Sequence, residues 1–280
     1  MNEERDDPRA LQAACRVWRH WEDGTVMDAL PPDCRPVDRA AGYAAQAALV
    51  QVGGRSSLGW KIAATSRAGQ AHIAVDGPLA GRLLEGRVHG DGATLSLRGN
   101  RMRVAEPEFV FRLGRTLPPR ESPYGVEEVL DAVEALHVGL EVPDSRFADF
   151  TRAGEAQLLA DNACAGQFVL GPAAAADWRA LDLAAHRAIG RVRRADGSTW
   201  QREGLGANVL DDPRLALAWL ANELSGLGLK LAAGEVVTTG TCMPPLEIAP
   251  GDAVEADFGV LGRVTLQDER GMQALTGSAG

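Results

Sequence analysis

Two neighbouring glycines, Gly53-Gly54, divide the chain into parts with incompatible hydrophobic periods. Before them, apolar residues recur at helical spacing. After them, apolar residues come in short alternating runs broken by Gly, Pro and Asp, which is the pattern of strands and turns. A helix is expected over Pro8 to Asp23, where Leu11, Ala14, Cys15, Trp18 and Trp21 fall on one face and Asp23-Gly24 supplies the stop. Pro31-Pro32 and Pro36 mark a loop, and Asp38 is the expected N-cap of a second helix running to about Val50. In the following run, Leu58, Trp60 and Ile62 alternate with Gly59, Lys61 and Ala63, so a strand there turns Lys61 away from the apolar face. Further strands are expected between Gly99 and Gly114, from Val138 to Phe147, at Phe168 to Leu170, and as pairs from Glu235 to Leu266. A helical period returns over 126–136 through Val126, Val129, Leu130, Val133 and Leu136, and Asp211-Asp212-Pro213 opens another helix that Gly226 closes. Repeats of solenoid length and low-complexity linkers are absent. These patterns predict an α+β protein with one catalytic domain over 1–280, in which a helical segment (1–52) leans on a mixed-β body (53–280).

Charge narrows the partners. The formal net charge is −9, and no basic tract overrides it, so nucleic acid is excluded as an expected partner. Apolar runs fall short of the roughly 18 to 20 residues a membrane span needs. The stretch Met1 to Asp7 is acidic and lacks the apolar core of a secretory signal. Cys15, Cys34, Cys164 and Cys242 are scattered, with no Cys-x-x-Cys pair, and are expected as free thiols in a reducing cytoplasm.

The chemistry concentrates in Val104-Ala105-Glu106-Pro107-Glu108-Phe109-Val110-Phe111. Residues two apart share a strand face, so Glu106 and Glu108 project together, opposite Ala105, Pro107, Phe109 and Phe111. Two carboxylates that close repel each other unless a cation lies between them, and oxygen ligands suit Mg2+ or Mn2+. The same spacing also fits an exposed strand face with two solvated acids. Glu141, between Leu140 and Val142, is a third acid in an apolar run. It must be metal-bound, paired with Arg146 or Lys61, or on the polar side of the pleat. Phosphate-binding glycine loops, His-Glu-x-x-His and Gly-x-Ser-x-Gly are all missing. Of the histidines, His72 stands out because Ser66 and Gly69 nearby could fold its stretch over a pocket.

Several segments, in order along the chain, resemble the 2-keto-4-pentenoate hydratase family of the fumarylacetoacetate hydrolase superfamily. They are Gly59-Trp60-Lys61-Ile62-Ala63-Ala64-Thr65-Ser66, Val75-Asp76-Gly77-Pro78, Ala105-Glu106-Pro107-Glu108, Leu140-Glu141-Val142-Pro143-Asp144-Ser145-Arg146, Ala160-Asp161-Asn162-Ala163, and Val237-Thr238-Thr239-Gly240 ahead of Pro250-Gly251-Asp252. The resemblance implies a mixed β-roll of the fumarylacetoacetate hydrolase C-terminal-domain type, and a Mg2+ or Mn2+ ion on Glu106, Glu108 and Glu141. It implies a small 2-oxo acid substrate near Lys61, Cys164 and Thr241, and a homo-oligomer. The activity implied is hydration of a 2-hydroxy-2,4-dienoate to a 4-hydroxy-2-oxo acid.

Two positions depart from the family pattern. Leu79-Ala80 follows Asp76-Gly77-Pro78 where many hydratases carry an acid, and Cys164-Ala165 replaces a common Ser-Ser. Water activation would then fall to His72 or Asp76, with Lys61 completing the expected catalytic set. The same departures leave open a decarboxylase acting on a 4-oxalocrotonate-type diacid, or a hydrolase of acylpyruvates. A non-catalytic binding protein fits poorly, since clustered acids facing a lysine would then have no use.

Overall fold

In the computed structural model, residues 7–269 are described; the acidic stretch before Asp7 lies outside them. Helix α1 (Pro8–Asp23) begins on Asp7, whose side chain accepts from the Arg9 amide, and ends on Gly24 at φ +63°. Helix α2 (Arg39–Gly53) begins on Asp38, which accepts from the Ala41 amide. Both caps satisfy backbone donors that the first helical turn leaves free. The chain then runs through β1 (Ser57–Ala63), α3 (Arg67–His72), β2 (Leu79–Leu84), β3 (Val88–Gly90), β4 (Ala93–Leu95), β5 (Val104–Leu113) and α4 (Val126–Leu130). It continues as β6 (Val133–Val142), α5 (Glu155–Ala160), β7 (Gln167–Ala173), β8 (Arg187–Arg193), β9 (Thr199–Leu205) and α6 (Pro213–Gly226). The last elements are β10 (Val236–Thr241), β11 (Leu246–Glu247), β12 (Ala253–Asp257) and β13 (Arg263–Asp268).

Three expectations need correction. The helical period over 126–136 yields a helix only as far as Leu130, and β6 takes over at Val133. Pairing of Leu113 with Val133 and Arg112 with Ala135 decides the matter, because the run from Val133 gains a full strand partner in β5. The strand expected from Val138 to Phe147 ends at Val142, where Pro143 offers no amide hydrogen to extend the ladder. The strand expected from Gly99 starts only at Val104, after a turn in which Asn100 accepts from the Arg103 amide and Arg103 takes φ +50°.

The larger sheet is mixed and eight-stranded, with the order β2-β1-β10-β5-β6-β7-β3 and β11 added to β5. Its outer strands, β2 and β3, are consecutive in the chain, and residues 85–87 join them. A flat sheet would hold these edges roughly 29 Å apart at 4.8 Å per strand step. The connection spans at most about 14 Å, so the sheet must curl into a roll. Its outer face carries Ile62, Phe109, Phe111, Val138 and Leu140 into one core with Val192, Val254, Val264 and Leu266 of the second sheet, β4-β13-β12-β8-β9. Phe109 meets Phe258 edge to face at 5.1 Å between ring centres. The N-terminal helices build a smaller core of their own against Phe147 and Ala160. No described helix is long and apolar enough to cross a membrane.

Candidate active site and metal centre

Strand register alone assembles the site on the inner face of the roll. Glu106 pairs with Glu141 across β5 and β6, Thr238 pairs with Val110 across β10 and β5, and Lys61 pairs with Thr238 across β1 and β10. Alternation puts Glu106, Glu108 and Val110 on one face, and directly opposed residues share a face. The three glutamates, Thr238 and Lys61 therefore converge without help from any loop.

Each of Glu106, Glu108 and Glu141 offers an oxygen, and these atoms lie within 4.8 Å of one another. Glu108 is fully buried, Glu141 and Lys61 are 1% and 2% exposed, and Glu106 is partly exposed. Glu108 is gripped on one oxygen: Oε2 accepts from the Thr238 hydroxyl and, at 2.7 Å, from the Gly240 amide. Among the described residues its Oε1 has no protein partner, and neither oxygen of Glu141 has an aligned donor. Lys61 Nζ lies 3.1 Å from Glu141 Oε1, but its hydrogen bond goes to the Ala163 carbonyl at 2.9 Å. One ammonium against three carboxylates leaves two negative charges unmatched, the charge of one divalent cation. Hard oxygen donors, orphaned and buried together, fit such an ion.

The ionisation equilibria record this crowding. Burial, then the charge of Glu141, raises the Glu106 carboxyl to about 7 against the opposing pull of Lys61. Burial, then Glu141 and Glu106, pushes Glu108 well above its ordinary value. Glu141 is also raised by burial, with Lys61 opposing. For Lys61 burial acts downward, but Glu141, followed by Glu106, Cys164 and Glu108, outweighs it and the net shift is upward. The stability contribution of a raised carboxyl is fully present below its unfolded value and is lost as pH rises through its folded value. Chelator-stripped protein is thus expected to lose stability to urea between pH 4.5 and about 7, the window Glu106 defines. Saturating Mg2+ should flatten that slope; equal slopes with and without Mg2+ would contradict the assignment.

The remaining sequence candidates divide. Cys164 lies next to the Lys61 acceptor Ala163, and burial, then Asp161, pushes its thiol up to about 12, so it is a neutral group. Thr241 pairs with Glu108 across the strands, and its hydroxyl donates to the Met243 carbonyl at 2.8 Å. His72 and Asp76 are both exposed, on the segment joining β1 to β2. His72 sets its ring edge against Phe150 at 5.7 Å, and neither residue is hydrogen-bonded to the glutamate cluster among the described residues. Arg146, weighed as a partner for Glu141, binds Asp161 instead.

Reasoning from sequence assigned no role to Thr238, Gly240 or Asp161, and gave Arg146 the wrong partner. The signal that could have found the first two is the need of a buried carboxylate for donors, which Thr238 and the Gly240 amide meet. At Gly240, φ is +93° and an added Cβ would stand 2.1 Å from Thr65 Oγ1, so the amide that grips Glu108 requires glycine.

Known proteins agree with this architecture. The fumarylacetoacetate (FAA) hydrolase C-terminal family model matches residues 85–267. A 2-keto-4-pentenoate hydratase of Paraburkholderia xenovorans is 35% identical over 216 residues, 77% of each chain. A 2-hydroxyhexa-2,4-dienoate hydratase of Comamonas testosteroni is 34% identical over 223 residues, 78% of this chain and 81% of that one. The solved structure of 4-oxalocrotonate decarboxylase from Pseudomonas putida, complexed with magnesium and adipate, superposes with a TM-score of 0.81. It covers 92% of this chain and 97% of that one at 24% identity, a likeness of fold. Matched by the family model across most of its β body, and about a third identical to these hydratases over some three quarters of its length, the chain belongs to the fumarylacetoacetate hydrolase family and to its 2-keto-4-pentenoate hydratase branch.

Proposed function

We propose that the chain is a divalent-metal-dependent hydratase that adds water to a 2-hydroxy-2,4-dienoate and forms a 4-hydroxy-2-oxo acid, a reaction suited to the breakdown of aromatic compounds. The observation that carries this reading is the set of partnerless oxygens on Glu108 and Glu141 facing Lys61 inside the roll. The hydratases among its relatives supply the reaction class.

In this reading Glu106, Glu108 and Glu141 hold Mg2+ or Mn2+. When bound, such an ion supplies Lewis acidity to the 2-oxo oxygen of the substrate. Thr238 and the Gly240 amide occupy one oxygen of Glu108, which keeps its other oxygen directed at the cluster. Lys61 orients the substrate carboxylate and moves a proton as the dienol becomes the conjugated ketone, after which water adds at the far end. Its ammonium also offsets the negative charge that would otherwise repel an anionic substrate. The neutral thiol of Cys164 and the hydroxyl of Thr241 line the substrate. His72 and Asp76 are the groups proposed to activate water, from the exposed segment that follows the strand bearing Lys61. The four thiols are free, which suits a reducing cytoplasm. The homo-oligomer implied by the resemblance belongs to the same proposal.

The test offers Mg2+-loaded protein 2-hydroxypenta-2,4-dienoate and 2-oxohexenedioate in parallel. Ultraviolet loss of the first without released carbon dioxide, stopped by chelation, is the expected result. Metal-dependent carbon dioxide from the diacid, with the dienoate untouched, would replace hydration by decarboxylation.

A further inference from the structure

Between α5 and β7 the backbone takes a turn that L-residues avoid. Asn162, Ala163 and Cys164 have φ values of +53°, +50° and +59°, three successive non-glycine residues in the left-handed region. Strain of this kind persists only where the surroundings over-determine it.

Here the surroundings are Arg146 and Asp161, 2% and 0% exposed. The Arg146 guanidinium bonds the Asp161 carboxylate through Nε, the Asp161 carbonyl through one terminal nitrogen, and the Ala165 carbonyl through the other at 2.7 Å. Both ends of the turn therefore hang on one planar group, which also lies 4.2 Å over the Trp21 ring. The Ser145 hydroxyl donates to Asp161 at 2.7 Å. The first left-handed residue is strapped to the free edge of β2: Asn162 Nδ2 donates to the Arg82 carbonyl at 2.9 Å, and the Arg82 amide returns a bond to Asn162 Oδ1 at 2.7 Å. So fixed, the turn aims the Ala163 carbonyl at Lys61 Nζ. The stem of Lys61 crosses Gly81, where an added Cβ would stand 2.4 Å from the Asn162 carbonyl oxygen and 3.0 Å from Lys61 Cδ.

We propose that Arg146, Asp161 and Asn162 are positioning residues that act through this left-handed turn to hold the Lys61 ammonium against Glu141. Lysine has a flexible four-carbon stem, and nothing else described hydrogen-bonds its nitrogen. The kinetic consequence rests on the hydratase reading; the placement of Lys61 does not.

Chemical labelling separates the two claims, because the chain has only two lysines, Lys61 and the exposed Lys230. Native protein is treated with acetic anhydride, and the Lys61 to Lys230 labelling ratio is read by mass spectrometry. Asn162→Gly is the principal variant, since it accepts the left-handed backbone, strands no charge and removes both strap bonds. Asp161→Asn, which strikes the buried ion pair, is the harsher companion. In Asn162→Gly with an intact melting transition, the labelling ratio is expected to rise about tenfold as the turn opens locally. On the dienoate kcat should fall about 10- to 100-fold with KM little changed. Lys61→Met combined with Asn162→Gly should be no slower than Lys61→Met alone. An unchanged labelling ratio in folded Asn162→Gly would overturn the proposal, as would a double variant slowed by the full single-variant factor. Should the wild type leave the dienoate untouched, the hydratase reading fails, and the labelling ratio still decides the positioning claim.

Discussion

Glu108→Gln is expected to abolish Mg2+-dependent hydration, with a loss of about 10³-fold or more. A metal acting as Lewis acid contributes several kcal/mol of transition-state stabilisation, and each ~1.4 kcal/mol is a factor of ten. The substitution is close to isosteric, and the amide oxygen can still accept from Thr238 and Gly240. It also removes one of three mutually repelling carboxylates, so the folded protein should be no less stable than the wild type without metal. Loss of activity with an unchanged melting transition, and with no further stabilisation by Mg2+, is the combined outcome to look for. A variant retaining more than about a tenth of wild-type activity would remove Glu108 from the metal centre.

The second large effect concerns Lys61. Lys61→Met should lower kcat by about 10²- to 10⁴-fold, the range for loss of a positioned proton-transfer group. Unlike Glu108→Gln, it should leave Mg2+ binding as tight as in the wild type or tighter, because it removes a cation 3.1 Å from Glu141. A buried ion pair broken on one side is destabilising, so the chelator-stripped variant should melt lower than the wild type and recover more on addition of Mg2+. Calorimetric titration with Mg2+ and steady-state kinetics on the same preparation read both quantities. Weakened Mg2+ affinity together with unchanged kcat would reverse the roles given to Lys61 and the acids.

Much of this architecture could be read from residue order. Alternation in Val104 to Phe111 put Glu106 and Glu108 on one face, and in the structure they share it. The caps Asp38 and Asp212 also marked true helix starts, because a side-chain acceptor beside free amides is a local property. Where neighbours in space decide, reading along the chain failed. The run from Val126 to Leu136 carries a helical period throughout, yet only its first part is helix, and pairing with β5 draws the chain into a strand from Val133. Lys61 does point away from Trp60 and Ile62 as alternation requires, but alternation does not tell that the face it joins is the almost wholly buried inside of a roll, shared with the acids. Arg146 looked like a partner for Glu141, yet Asp161, 15 residues further on, is brought to it by the turn between α5 and β7. Nothing in local spacing announces three successive left-handed residues at Asn162, Ala163 and Cys164.

The most direct measurement of the central claim is a titration of chelator-stripped protein with Mn2+, followed by loss of the free-ion electron paramagnetic resonance signal. The account predicts one tightly held Mn2+ per chain, displaced by Mg2+, absent from Glu108→Gln and from Glu141→Gln, and retained by Lys61→Met. Equal Mn2+ uptake by the wild type and both glutamine variants would contradict it.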